Sequence, residues 1–228
     1  MKLPNRGFDD DQNPREDDAE ARRRLRLLML LDCAENAGLV PLPIAQLHTF
    51  AYLANVLAPV WDMPTQEGKV LKLRRGPFYP ALQRDLDRLV GMGVTLISNL
   101  GYSLDEFNRW HLEGSYRLNR TAAGPILRIA RQFAAESETS SFIQELAYAL
   151  SALSDEELQR ATMEDATYSD PLIDVGNVVD FGEWRNLNFS ANAARRFERL
   201  LPGASQATLG EKLHFYVRHL RLRLHGGH

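Results

Sequence analysis

Apolar residues recur at helical spacing through most of the chain, and short β-branched runs interrupt them near its middle. A first helix is predicted from Asp17 or Asp18, acids suited to an N-terminus, through Leu25, Leu28, Met29, Leu31 and Asp32. Gly38 would close it as a C-cap. A second helix follows Pro43 and carries Leu47, Phe50, Ala51, Ala54 and Leu57 three and four apart, ending before Pro59. A loop from Trp61 to Gly68 then leads to a strand-like run, Lys69 to Arg75. Gly76-Pro77-Phe78-Tyr79-Pro80 punctuates the chain ahead of a third helix, Ala81 to Met92. Its apolar face is Leu82, Leu86, Leu89 and Val90; Arg84 and Arg88 stand one turn apart on the polar face. Val94 to Ser98 reads as a strand and Tyr116-Arg117-Leu118 as its return, with Thr121 capping a helix over Ile126 to Ala135.

Three helices, a strand, a wing, a returning strand and a helix form the order expected of a winged-helix domain over residues 17–136. The region 137–228 reads as helical. Phe142 to Leu153 is apolar at helical spacing, and Ser154-Asp155-Glu156-Glu157 has an N-cap followed by first-turn acids. Tyr168 to Asn188 reads as irregular, interrupted by Pro171, Gly176 and Gly182. Ser190 and Thr208 would cap two further helices, to Leu201 and Leu224. The expected fold class is therefore mainly α with a small β wing (α+β), a winged-helix N-terminal half joined to a helical C-terminal half.

Charge changes that picture at the N-terminus only. The first twenty residues hold seven acids (Asp9, Asp10, Asp11, Glu16, Asp17, Asp18, Glu20) against three bases, with Pro4, Gly7 and Pro14 among them. Such a segment buries too little apolar surface to offset its ordering entropy, so residues 1–16 are expected to be a disordered acidic tail. Setting the twenty residues aside takes the formal charge from −3 to +1. With 228 residues, 44% of them hydrophobic, the chain is long enough to bury a real core. Its acidic start lacks the basic-then-apolar order of a signal peptide, and no apolar run approaches the roughly 20 residues of a membrane span. A cytoplasmic protein with no membrane contact is expected.

No catalytic chemistry announces itself. The chain has no GxxxxGK[ST] loop to cradle a phosphate and no GxSxG, and a single cysteine excludes an internal disulfide or a multi-cysteine metal site. Cys33 falls in an apolar helical pattern, where a buried structural thiol is expected. His48 lies among apolar neighbours and reads as a hydrogen-bonded core histidine. Asp170, Asp174 and Asp180 sit around Gly176 and Gly182, as turn residues do. His214 and His219 are five apart and do not share a helical face as metal ligands would. Neither an enzyme nor a cofactor is expected.

Two groups of residues could carry binding. Lys69, Lys72, Arg74 and Arg75, with Arg84 and Arg88 on the third helix, are candidate DNA contacts, because that helix of a winged helix can enter a major groove. Asp85 and Asp87 on the same helix would repel phosphate or pair with those arginines. The run Arg22 to Arg26 could meet either DNA or the acidic tail. Trp61, Phe78, Tyr79, Trp110 and Trp184 fall in or beside loops, where aromatic rings either anchor protein interfaces or fold over the core.

Three segments together resemble a known family. They are Leu47-His48-Thr49-Phe50-Ala51-Tyr52-Leu53-Ala54-Asn55-Val56-Leu57-Ala58-Pro59-Val60-Trp61, then Arg75 to Pro80 with Gln83 to Gly93, and Val175-Gly176-Asn177-Val178-Val179-Asp180-Phe181-Gly182. Over residues 20–200 the chain is similar to the middle component of bacterial ABC three-component systems, the group that includes Lamassu-type anti-phage defence. The resemblance implies a small non-catalytic subunit seated on an SMC/Rad50-like ATPase and linking it to an effector, often a nuclease. It implies no metal or catalytic residue, and it has no counterpart for the acidic tail. The first expectation is thus an adaptor subunit of such an ATPase, with contact to double-stranded DNA secondary. A winged-helix transcriptional regulator reading DNA through residues 81–92 is the alternative, and an enzyme with a site around His48 or Asp180 ranks below both.

Overall fold

The computed structural model describes residues 14–65, 69–104, 108, 110–171, 173–180, 188–200 and 207–226. The expected disordered tail therefore lies outside the described residues, except that Pro14 to Glu16 form the first turn of helix α1 (Pro14–Asn36). From Leu27 to Leu31, and again at Cys33 and Ala34, every side chain of α1 is buried. A helix apolar on all sides belongs at the centre of a fold. It ends at Gly38, which takes φ +76° and lets Leu39 N–H reach Ala34 O and Gly38 N–H reach Glu35 O. This paired closure needs a left-handed residue, which glycine supplies without steric cost.

Helix α2 (Ile44–Leu57) is buried along its whole length from Gln46 and runs on into a tight turn, Ala58–Trp61. Strands β1 (Leu42–Pro43), β5 (Trp110–Leu118) and β4 (Thr95–Leu104) form one antiparallel sheet in the order β1-β5-β4. Strands β2 (Lys69–Leu73) and β3 (Gly76–Phe78) form a hairpin turned by Arg74 and Arg75. Between the hairpin and β4 lies α3 (Pro80–Gly91), with proline at its tolerated first position. The returning strand is longer than the three residues expected, and the β4–β5 ladder extends to Leu104 opposite Trp110.

Helix α4 (Arg120–Ala130) starts six residues earlier than its periodicity suggested and carries Pro125 within it. Asn119, not Thr121, caps it: its side-chain oxygen accepts from Thr121 N–H at 3.2 Å. Helix α5 (Ala134–Leu150) likewise begins before the apolar run, through the polar stretch Glu136 to Ser141. In α6 (Asp155–Arg160) the expected cap is a full capping box: Ser154 Oγ accepts from Glu157 N–H at 3.2 Å, and Ser154 N–H donates to Glu157 at 2.8 Å. Helices α7 (Phe189–Leu200) and α8 (Leu209–Gly226) complete the chain. Asn188 caps α7 by accepting from Ala191 N–H at 2.9 Å, which leaves Ser190 free for a different role.

The architecture is mixed α+β, mainly helical with small antiparallel sheets. One part of the segment expected to be irregular is a strand: β6 (Val178–Asp180) pairs antiparallel with β2, placing Val179 opposite Val70 in the core. That pairing and the packing of α1 on α5 and α2 on α6 and α7 cross the boundary expected at residue 136. Buried residues of both halves belong to one hydrophobic cluster.

Candidate interaction surface

Three buried carboxylates organise the interior. Asp165 is fully buried beyond the short turn Ala161–Glu164. Its Oδ2 accepts from Tyr52 Oη at 2.7 Å, Ser190 Oγ at 2.8 Å, and the N–H groups of Thr167 and Tyr168 at 3.0 Å each. Its Oδ1 accepts from Tyr216 Oη at 2.6 Å. A carboxylate removed from water is tolerable only when its lone pairs are met, and here five donors from four segments meet them. Burial, then the charge of Asp165, push the Tyr52 and Tyr216 hydroxyls well above their ordinary value, so both stay protonated donors.

Asp32 on α1 is paired with Arg120 and Arg131, which fasten α4 and the turn after it to the central helix. Asp85 on α3 faces inward, with Arg23 Nε at 2.7 Å and Arg24 Nε at 3.1 Å. The anticipated pairing of Arg88 with Asp85 is thus replaced; Arg88 instead lies 3.8 Å from Glu20. Two arginines of the Arg22–Arg26 run are committed to this internal contact, and Arg24 also binds Glu20.

Cys33 and His48 are both buried. Desolvation, reinforced by neighbouring Asp32, pushes the Cys33 thiol up to about 12, and its Sγ lies 3.7 Å from Ser140 O. Desolvation lowers His48 to about 4, and its Nδ1 accepts from Tyr79 N–H at 3.3 Å. Among the described residues no group of three or more His, Cys, Asp or Glu side chains is placed to hold a metal ion.

Of the candidate DNA contacts, Lys72 is a correction. Its side chain is buried, and its ammonium donates to Ile173 O at 2.7 Å and Asp170 O at 3.1 Å, over the Tyr168 ring. Burial lowers its pKa, and loop carbonyls rather than a phosphate accept its hydrogen bonds. Lys69 starts β2, Arg74 and Arg75 turn the β2–β3 hairpin, and all three are exposed. Arg84 is exposed on α3 and has no ion-pair partner among the described residues. Arg117, which the sequence did not single out, is exposed on β5 opposite Leu96.

Among the candidate interface aromatics, Tyr79 is also a correction. It is 1% exposed, and its hydroxyl accepts from Asn55 Nδ2 at 3.1 Å, so the ring belongs to the core. Phe78 is half-buried with its ring 4.9 Å from that of His48, and Trp61 is half-buried 5.7 Å from Phe142. Trp184 lies outside the described residues. Among the four that are described, Trp110 alone stands out in solvent, at 67% exposure.

The exposed apolar surface is richer than the aromatics suggested. On α4, Ile126 and Ile129 lie one turn apart at 42% and 59% exposure, and Phe133, the extended residue that leads into α5, is 62% exposed. Their opposite numbers Ala123, Leu127 and Ala130 face the core. The sequence held this signal: an apolar helix face left over once the buried one is assigned. On the β4–β5 hairpin, Leu100, Tyr102 and Leu104 are exposed beside Trp110. No helix among the described residues is long and apolar enough to cross a membrane.

Compared with family models, curated proteins and solved structures, the chain matches none.

Proposed function

We propose that this chain is a non-catalytic adaptor subunit of an SMC-like ATPase defence complex, joining the ATPase to an effector nuclease. In this reading α1, α2 and α3 with the β4–β5 hairpin form a winged helix, the hairpin being its wing. The observation that carries it is the exposed apolar surface of Ile126 and Ile129 on α4 and of Phe133 just beyond it, in a segment anchored to the core by Asp32 through Arg120 and Arg131. A rigidly held apolar face on a soluble chain is suited to a protein partner. The burial that silences Cys33 and His48 is in keeping with a subunit that leaves chemistry to its partners.

Co-expression with the genes beside it, followed by affinity purification, tests the reading. Recovery of a coiled-coil ATPase in stable ratio supports it; a stable chain that brings down no ATPase refutes it.

A winged-helix regulator remains the second reading, favoured by Arg84 on α3, which is exposed and unpaired among the described residues. It requires tight, sequence-selective binding to promoter DNA in physiological salt, with Arg84→Ala weakening binding at one base position by about 1–3 kcal/mol.

A further inference from the structure

The arginines that stand closest in sequence to the acidic run Asp9-Asp10-Asp11 are already occupied. Arg23 and Arg24 hold Asp85, and Arg24 holds Glu20 as well. Arg22 lines a groove against α5 that contains Asp18, Glu136 and Glu138. Two arginines of α3 have capacity to spare. The Arg88 side chain is 63% exposed and lies 3.8 Å from Glu20, a contact that leaves most of its donors unused. Arg84, one turn earlier, is exposed and has no ion-pair partner among the described residues. Four residues apart, the two lie about 40° from one another round the helix, with Asp87 about 60° to the side of Arg84. Gln83 Nε2 donates to Asp87 at 2.9 Å.

We infer that the exposed face of α3 is the docking site of this chain's own acidic segment, with Asp11 on Arg88 and Asp9 on Arg84. Residues 9–11 lie outside the described residues, but the place where they leave the fold is fixed. α1 and α3 run antiparallel: Asp85 meets Arg23 and Arg24, and one turn on along α3 Arg88 meets Glu20, one turn back along α1. Pro14, where α1 begins, is therefore about 9 Å along the axis from the level of Arg88 and about 15 Å from that of Arg84. Three extended residues carry Asp11 back about 10 Å from Pro14, and five carry Asp9 about 17 Å. The spacing also fits. Alternate residues of an extended segment share a side and stand about 7 Å apart, against about 6 Å for residues one turn apart on a helix. Each exposed pair is weak alone, but guanidinium and carboxylate match in shape and the short tether keeps the acids at high local concentration. The inference does not rest on the adaptor reading, since it concerns α3 and not the face of α4.

The test is arginine footprinting of the full chain with phenylglyoxal, read by mass spectrometry, beside a variant carrying Asp9→Asn, Asp10→Asn and Asp11→Asn. These residues precede α1, so thermal unfolding of the variant should match the parent. In low salt, Arg84 and Arg88 should react at least threefold more slowly in the parent than in the variant. In 0.5 M sodium chloride the parent should react at the variant's rate, because salt screens exposed pairs. Arg196, exposed on α7, should react alike throughout. A second variant, Arg84→Gln with Arg88→Gln, reads the contact from the other side: the amide NMR signals of residues 9–11 should shift from their parent positions. Equal reactivity of Arg84 and Arg88 with and without the three aspartates overturns the inference, as do signals of residues 9–11 that the second variant leaves in place. Arginines that react freely in the parent and become protected only when mixed-sequence duplex DNA is added also overturn it, by giving the face to a nucleic acid.

Discussion

The Tyr52 hydroxyl donates to Asp165 Oδ2 at 2.7 Å, across 113 residues of sequence. Tyr52 belongs to the second helix and Asp165 to the turn after the sixth, so this one bond ties the N-terminal half of the chain to the C-terminal half. Tyr216 closes the knot from the last helix.

Asp165→Asn leaves the cluster of donors facing an amide that can accept at only one atom. A loss of about 3 kcal/mol or more in unfolding free energy is expected, against about 1–2 kcal/mol for Tyr52→Phe, which removes one donor. Urea unfolding of the two variants checks the order. Equal losses would mean that Asp165 is not the hub.

Cys33, with its thiol pushed up to about 12, is expected to be inert toward iodoacetamide at pH 8 while the chain is folded. It should label at the rate of a free thiol in denaturant. Intact-mass spectrometry over time reads both states, and rapid labelling of the folded chain would contradict the packing described for α1.

His48 gives stability a pH dependence of known sign. Burial lowers its folded value to about 4 from an ordinary 6.5, so the unfolded chain binds its proton first as pH falls. Its contribution is complete above pH 6.5 and declines toward pH 4, by about 3 kcal/mol if no other group compensates. His48→Gln keeps an acceptor for the Tyr79 N–H and removes the titration. The unfolding free energy of that variant should fall less steeply than the parent's between pH 6.5 and 4; parallel curves would exclude His48 as the source.

Much of the helical layout was legible in local signals. Gly38, Pro43, Pro80 and the Ser154–Glu157 box marked their helix ends because caps act through adjacent residues. Long-range commitments were not legible. Nothing near Lys72 in sequence says that its ammonium will bind carbonyls of a loop a hundred residues on, and Asp85 looked like a surface acid until Arg23 and Arg24 met it from another helix. Tyr79 beside two prolines read as a loop aromatic, yet the hairpin before it turns the ring onto Asn55. β6 escaped because its three residues gain a strand's bonds only from β2. The exposed residues Ile126, Ile129 and Phe133 lay within the helix expected over Ile126 to Ala135, but which of its faces the core covers is set by α1 and could not be read locally.

The adaptor reading stands or falls on the α4 face. Its most direct test is the affinity of the purified chain for an SMC/Rad50-like ATPase, should co-expression with the neighbouring genes yield one, by isothermal titration, with the parent and with Ile129→Asp. Ile129 is exposed, so the variant should unfold at the parent's temperature. The account predicts tight binding by the parent and a loss of at least tenfold on substitution. Undiminished binding by a folded Ile129→Asp chain, or no binding by the parent, would contradict it.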